Sequence, residues 1–268
     1  MKIRAITGFF FIIVMLASVL LDHYVFGVFY LLLSGFALWE FYGLVKTAGI
    51  KPDVTTGILN GICIYAVFAL VSYDSSYHKL LFLLPLTLSA VFIQELFKKS
   101  SAPFTNIGYT YLGLLFTIVP FTFFHALAYV GGAFNFHFPL GFLLMLWAND
   151  TGAYLVGSKL GRTKLFERHS PKKTWEGLIG GILITAVAAY FISTYFTEIA
   201  LEHWIWMGIL ISCFGTTGDL IESMFKRSID VKDSGGILPG HGGLLDRFDG
   251  LLIAAPIVYA YLYFIVNS

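Results

Sequence analysis

The sequence predicts an all-α, polytopic integral membrane bundle of about nine transmembrane helices, with its N-terminus in the cytoplasm. Three observations carry that expectation. Charged residues make up 12% of the 268, about half the share of roughly 25% that coats a water-soluble domain. Apolar residues make up 57%, the mean hydropathy is +0.79, and the apolar residues are blocked into long runs. Finally, sixteen of the seventeen lysines and arginines fall in alternate loops.

A bilayer core takes roughly 20 apolar residues per helix. Nine segments meet that length: 5–21, 24–45, 56–73, 79–97, 107–130, 139–158, 177–196, 204–224 and 250–266. The first follows Lys2 and Arg4 and has the look of a secretory signal. A second apolar run begins at once at Tyr24, so it reads as a membrane helix. The second, fourth and eighth segments carry acids near their ends, Glu40, Glu95 and Glu222, and the sixth holds Asn149 and Asp150 well inside. Cys63 and Cys213 lie within apolar runs and read as small buried hydrophobes. His125, alone in the fifth segment, reads as a core residue.

Orientation follows from the basic residues. The N-terminus and the loops at 46–51, 98–99, 159–176 and 225–249 hold all of them except Lys79. Cytoplasmic loops collect lysine and arginine, so these loops are expected on the cytoplasmic side. The net charge of +1 is divided by loop and gives no signal for nucleic acid, which is not expected as a partner. The absence of long tails and of a targeting peptide points to a bacterial plasma membrane. Residues 1–140 are expected to form scaffold helices with candidate dimer contacts. Residues 141–268 are expected to form helices carrying a cytoplasmic-side site.

The polar residues concentrate between Ser223 and Gly250, SMFKRSIDVKDSGGILPGHGGLLDRFDG. Asp219, Glu222, Ser223 and Lys226 precede or open it at i, i+3, i+4 and i+7, one stripe of a helix. An acid inside an apolar helix is costly and normally faces a partner, a metal or water. The glycines and proline that follow forbid a regular element and let backbone N–H groups approach an anion. Asp246, Arg247 and Asp249 close the stretch. A second loop, RTKLFERHSPKKTWEG, sets Lys172 and Lys173 beside Thr174. Acids facing a basic, glycine-rich loop suit magnesium and phosphate, because magnesium takes few carboxylates and completes its shell with water and phosphate oxygens. Asp150 reads equally as a ligand or as a structural acid. His241 could donate to phosphate, contact a base or hold the loop.

These residues resemble the signature of the phosphatidate cytidylyltransferases, also called CDP-diacylglycerol synthases. The matching positions are Ser223, Lys226, Arg227, Lys232, Asp233, His241, Gly242, Gly243, Asp246, Arg247 and Asp249. Asn149–Tyr154, Ser170–Gly177 and Gly218–Ser223 are also similar to that family, whereas residues 1–140 share with it only their hydrophobic, multi-helix character. The resemblance implies a helical, homodimeric membrane enzyme that joins CTP to phosphatidate and releases pyrophosphate. It also implies magnesium, with a monovalent cation (K+) beside it. Asp219 and Asp246 correspond to the family's metal aspartates. Asp249 is a further candidate ligand, and Lys226 and Arg227 are candidate clamps for either substrate. Lys172, Lys173, Thr174, Ser223, Lys232, Asp233, His241, Gly242, Gly243 and Arg247 are candidate substrate contacts. Two other readings are weighed against it: a CTP-dependent polyprenol kinase, which would transfer the γ-phosphoryl group to an alcohol, and a transporter, which would want acids along a through-path.

Overall fold

The computed structural model describes residues 2–231, 234–235 and 242–267. Helices dominate: α1 (Lys2–Leu20), α2 (His23–Thr47), α3 (Val54–Tyr73), α4 (Leu83–Leu96), α5 (Pro103–Gly113), α6 (Val119–Leu127), α7 (His137–Leu160), α8 (Trp175–Tyr195), α9 (Leu201–Ser228) and α10 (Leu245–Val266). A 3-10 stretch, Ser75–Phe82, leads into α4, and a π stretch, Leu114–Ile118, joins α5 to α6 in one rod. Each of the nine expected segments therefore matches a helical rod, with ends that differ by up to three residues where a segment outruns its rod. Helices are the natural outcome, because backbone N–H and C=O groups in lipid must be satisfied within the segment itself.

Among the described residues, seven rods are long and apolar enough to cross a membrane. The apolar part of α1, Thr7–Leu20, is shorter, and α7 is diluted by Asn149, Asp150 and Thr151 at its middle. Large apolar side chains such as Phe9, Leu86, Phe104, Leu183 and Phe191 face outward, where lipid rather than water suits them.

The last two helices differ from the expected loop boundaries. Helix α9 continues to Ser228, and α10 starts at Leu245, so Asp246, Arg247 and Asp249 ride on a helix rather than on the preceding loop. An acid in the first turn complements the helix dipole, which favours this early start. The 159–176 loop also contains a short antiparallel hairpin, β1 (Lys164–Phe166) paired with β2 (Ser170–Thr174). Apolar periodicity gives no hint of so short a pair.

Aromatic packing fills the centre of the bundle. Phe26, Tyr30, Phe121, Phe124 and Phe142 are fully buried there. Phe41 of α2 stacks on Phe225 of α9 at 4.8 Å between ring centroids. The C-terminal helices pack instead through small residues, which let backbones approach where no hydrophobic effect drives helices together. A Cβ at Gly177 would stand 3.0 Å from the Ala153 carbonyl, and one at Gly181 would strike the Asn149 side chain, so α7 and α8 touch along this seam. A Cβ at Gly218 of α9 would strike the Asp249 carbonyl of α10. That crossing puts Asp219 and Asp249, each adjacent in sequence to a glycine of the contact, at the meeting of the two helices.

Candidate active site

A cleft of about 660 Å³ opens among α7, β2, α8, α9 and α10. Its polar wall carries Asn149, Asp150, Lys172, Lys173, Thr174, Asp219, Asp246, Arg247 and Asp249. Its other wall is apolar and includes Phe11 and Ile12 of α1, Trp147, Tyr154 and Leu178. Two stretches more than 40 residues apart in sequence, the β2 lysines and the α9–α10 acids, thus share one space.

Each residue has its own fixing. Thr174 ends β2 and caps α8, its hydroxyl accepting from the Gly177 N–H at 3.2 Å. Glu176 accepts from the backbone N–H groups of Arg162 and Thr163 at 3.1 Å each, which folds the start of the hairpin back onto α8. Together these contacts aim β2 at α9. Lys173 then reaches Asp219 at 2.5 Å and the Thr216 carbonyl at 3.4 Å. The Ser223 hydroxyl donates to the second Asp219 oxygen at 3.3 Å. Asp249, on the far side of the helix crossing, accepts from the Gly250 N–H at 2.6 Å. It faces the like charges of Asp219, Glu222 and Asp150, offset by Lys173.

Asp246 sits at a corner of the cleft. One of its oxygens meets Lys226 at 2.5 Å, and the other accepts from the N–H groups of Ser234 and Gly243 at 3.1 Å each. Lys226 is buried, 7% exposed, and is held from the other side by Glu222 at 2.5 Å. It does not line the cleft; it lies beneath it. Arg227 is exposed at the end of α9, donating to the Val231 carbonyl at 3.1 Å. Gly242 adopts φ +82° and packs against Asp246, a backbone conformation that side chains disfavour. Lys232, Asp233 and His241 lie outside the described residues.

Three contributors were given no role in the site by sequence reasoning. Glu40 of α2 accepts from the N–H groups of Leu244 and Leu245 at 2.8 and 3.1 Å. Glu222 is the buried counter-ion of Lys226, a relation the i,i+4 spacing could have indicated. Helix α1 supplies part of the apolar wall, and no polar motif marks it.

The donor set fits a hard divalent cation. Carboxylates from α7, α9 and α10 accumulate like charge on one wall, and Asn149 Oδ1 beside them meets no donor among the described residues. Among those residues no three His, Cys, Asp or Glu side chains form a closed cage. Magnesium does not need one, since it binds through one or two carboxylates, substrate phosphates and water.

Comparison with known proteins concerns the chain as a whole. The family model for the "Cytidylyltransferase family" matches residues 2–265. A phosphatidate cytidylyltransferase of Bacillus subtilis (strain 168) is 34% identical over 269 residues, covering 97% of this chain and 96% of that one. The Staphylococcus haemolyticus (strain JCSC1435) enzyme of the same name is 31% identical over 261 residues, covering 96% and 97%. The Staphylococcus aureus (strain COL) enzyme reaches 44% identity over 144 residues, but that match spans only about half of each chain, 50% of this one and 55% of the relative. From α1 to α10, and not merely at the cleft, the chain belongs to the cytidylyltransferase family.

Proposed function

We propose that the chain is a phosphatidate cytidylyltransferase, transferring the cytidylyl group of CTP to phosphatidate to give CDP-diacylglycerol and pyrophosphate. The observation that carries this reading is the cleft itself, where lysines, an arginine and carboxylates face one another beside an apolar wall. A polar nucleotide and an acyl-bearing phosphate need such a two-sided space.

In this reaction a phosphate oxygen of phosphatidate attacks the α-phosphorus of CTP, and the bond to pyrophosphate breaks in line. A phosphate monoester has a second pKa near 6, so the nucleophile is already ionised near neutral pH and no strong base is required. The obstacle is repulsion between two polyanions, which positioned cations offset. Lys172, Lys173 and Arg247 line the cleft and are assigned to the triphosphate and the departing pyrophosphate. Lys173 would exchange Asp219 for phosphate as CTP enters. Ser223 steadies Asp219, and Thr174 holds the hairpin that carries the lysines. Lys232, Asp233 and His241 remain candidate loop contacts.

Asp219 and Asp246 are assigned to magnesium, with Asp249 as an outer or second-metal ligand. Bound there, magnesium would neutralise phosphate charge and hold CTP in register; a monovalent cation such as K+ is a candidate second ion. Lys226 is assigned to ordering Asp246. Exposed Arg227, at the end of α9, is assigned to the lipid phosphate.

The same reading has α1 and α7 cross the membrane with the seven more apolar rods, giving nine crossings. The N-terminus and the cleft then face the cytoplasm of a bacterial inner membrane, in agreement with the sorting of basic residues. Residues 1–140 act as the scaffold for the catalytic part, 141–268, and two copies pair as a homodimer.

The test is a mass-spectrometric assay of the purified protein with CTP, phosphatidate and magnesium, leaving out one component at a time. CDP-diacylglycerol is expected only in the complete mixture. A complete mixture without product, or product formed in the absence of CTP, would contradict the assignment.

A further inference from the structure

Glu40 lies in α2, about 200 residues before the motif it touches, and is 5% exposed. A carboxylate buried in a membrane helix is expensive unless its oxygens are satisfied. Here both are: the Leu244 N–H donates to Oε2 at 2.8 Å and the Leu245 N–H to Oε1 at 3.1 Å. Glycines surround it closely. A Cβ at Gly235 would stand 3.4 Å from Oε2, and one at Gly243 would collide with Oε1 and with the Ser234 hydroxyl. The start of α10 has no cap of its own, because Leu244 at the cap position offers no side-chain acceptor.

We infer that Glu40 is a positioning residue for the catalytic end of α10. Two carboxylates divide that helix start between them. Asp246 takes the N–H groups of Ser234 and Gly243, and Glu40 takes the next two. The pattern sets the angle at which the chain enters α10, and with it the placement of Asp246, Arg247 and Asp249 on the cleft. It has a second consequence. A free helix N-terminus attracts phosphate, but at this one the N–H groups of Leu244 and Leu245 already hold a carboxylate. Phosphate binding is thereby left to side-chain cations on the cleft wall, where transfer takes place.

The inference rests on the proposed reaction, and its test separates the two. Glu40→Gln keeps the shape and one acceptor oxygen, and turns the other end into a donor facing donors. Glu40→Ala removes both acceptors. For each variant, kcat and the KM for CTP are measured per folded, monodisperse molecule, and amide hydrogen exchange is followed across the chain.

Positioning predicts a kcat at least about tenfold lower in Glu40→Gln, in line with the cost of small misplacements at a reacting centre, with KM for CTP within about twofold. It also predicts faster exchange confined to residues 242–250 and unchanged protection in α3 and α4. If Glu40→Ala does not fold, Glu40→Gln carries the test. A wild-type kcat in the glutamine variant, or exchange that quickens uniformly along the chain, would overturn the inference. Failure of the wild-type protein to form product would instead overturn the proposed reaction, and the exchange pattern would still decide whether Glu40 orders α10.

Discussion

Lys173–Asp219 and Lys226–Glu222 are ion pairs of the same length, 2.5 Å, in opposite surroundings. The first lies on the cleft wall, with side chains 23% and 35% exposed; the second lies in the corner beneath, at 9% and 1%. Partly exposed pairs contribute little to stability and exchange partners readily. A buried pair is held by the cost of leaving either charge alone. One chemistry therefore serves two ends. On the proposed reaction, the wall pair releases its lysine to an incoming phosphate, whereas the corner pair, joined by Asp246, shapes the site from beneath.

The strongest way to break this comparison is at the wall acid. Asp219→Asn is expected to lower turnover by about a thousandfold, the scale of losing a principal electrostatic contributor, while the protein still inserts and purifies with an unchanged elution profile. Turnover within tenfold of wild type would remove Asp219 from the chemistry. The corner comes next. Lys226→Met strands Glu222 and Asp246 and should cost about 3 kcal/mol of stability, visible as a lower midpoint of thermal unfolding in detergent. Adding Glu222→Gln should recover part of that loss. A Lys226→Met protein as stable as wild type, with only a raised KM, would mean that the lysine belongs to the wall after all.

Much of this division was legible in advance. The apolar runs located every helical rod, because a membrane span is long and its composition distinctive. The residues between Asn149 and Gly250 that line the candidate cleft stood out through charges and glycines that lipid-facing helices do not tolerate. The roles within the cluster were less legible. Lys226 reads as a clamp from its place at a helix end; its i,i+4 spacing hints at Glu222, but only packing reveals that Asp246 encloses it from the other side. Glu40 gave no signal beyond being an acid near the end of a span, because its partners are backbone N–H groups some 200 positions away. The hairpin was hidden because its strands, three and five residues long, are too short to show a period.

Two smaller effects sharpen the contrast. Lys173→Ala should raise the KM for CTP about tenfold, the value of one charge-assisted hydrogen bond, and change stability by less than about 1 kcal/mol. Titrating CTP at saturating phosphatidate measures the first, and thermal unfolding the second; a large stability loss with unchanged KM would reverse the roles given to the two lysines. Arg227→Ala should weaken only the lipid substrate, raising the KM for phosphatidate about fivefold, as for one basic residue near an anionic headgroup. An equal rise for CTP would place Arg227 with the nucleotide instead.

The central claim is tested most directly by following the label of CTP carrying 32P at either the α or the γ position, incubated with phosphatidate and the purified protein. The α label is expected to enter the lipid fraction and the γ label to leave as pyrophosphate, with the α transfer lost in Asp219→Asn. Recovery of γ label in lipid, or α transfer undiminished in that variant, would contradict a cytidylyl-transfer site built on the α9–α10 acids.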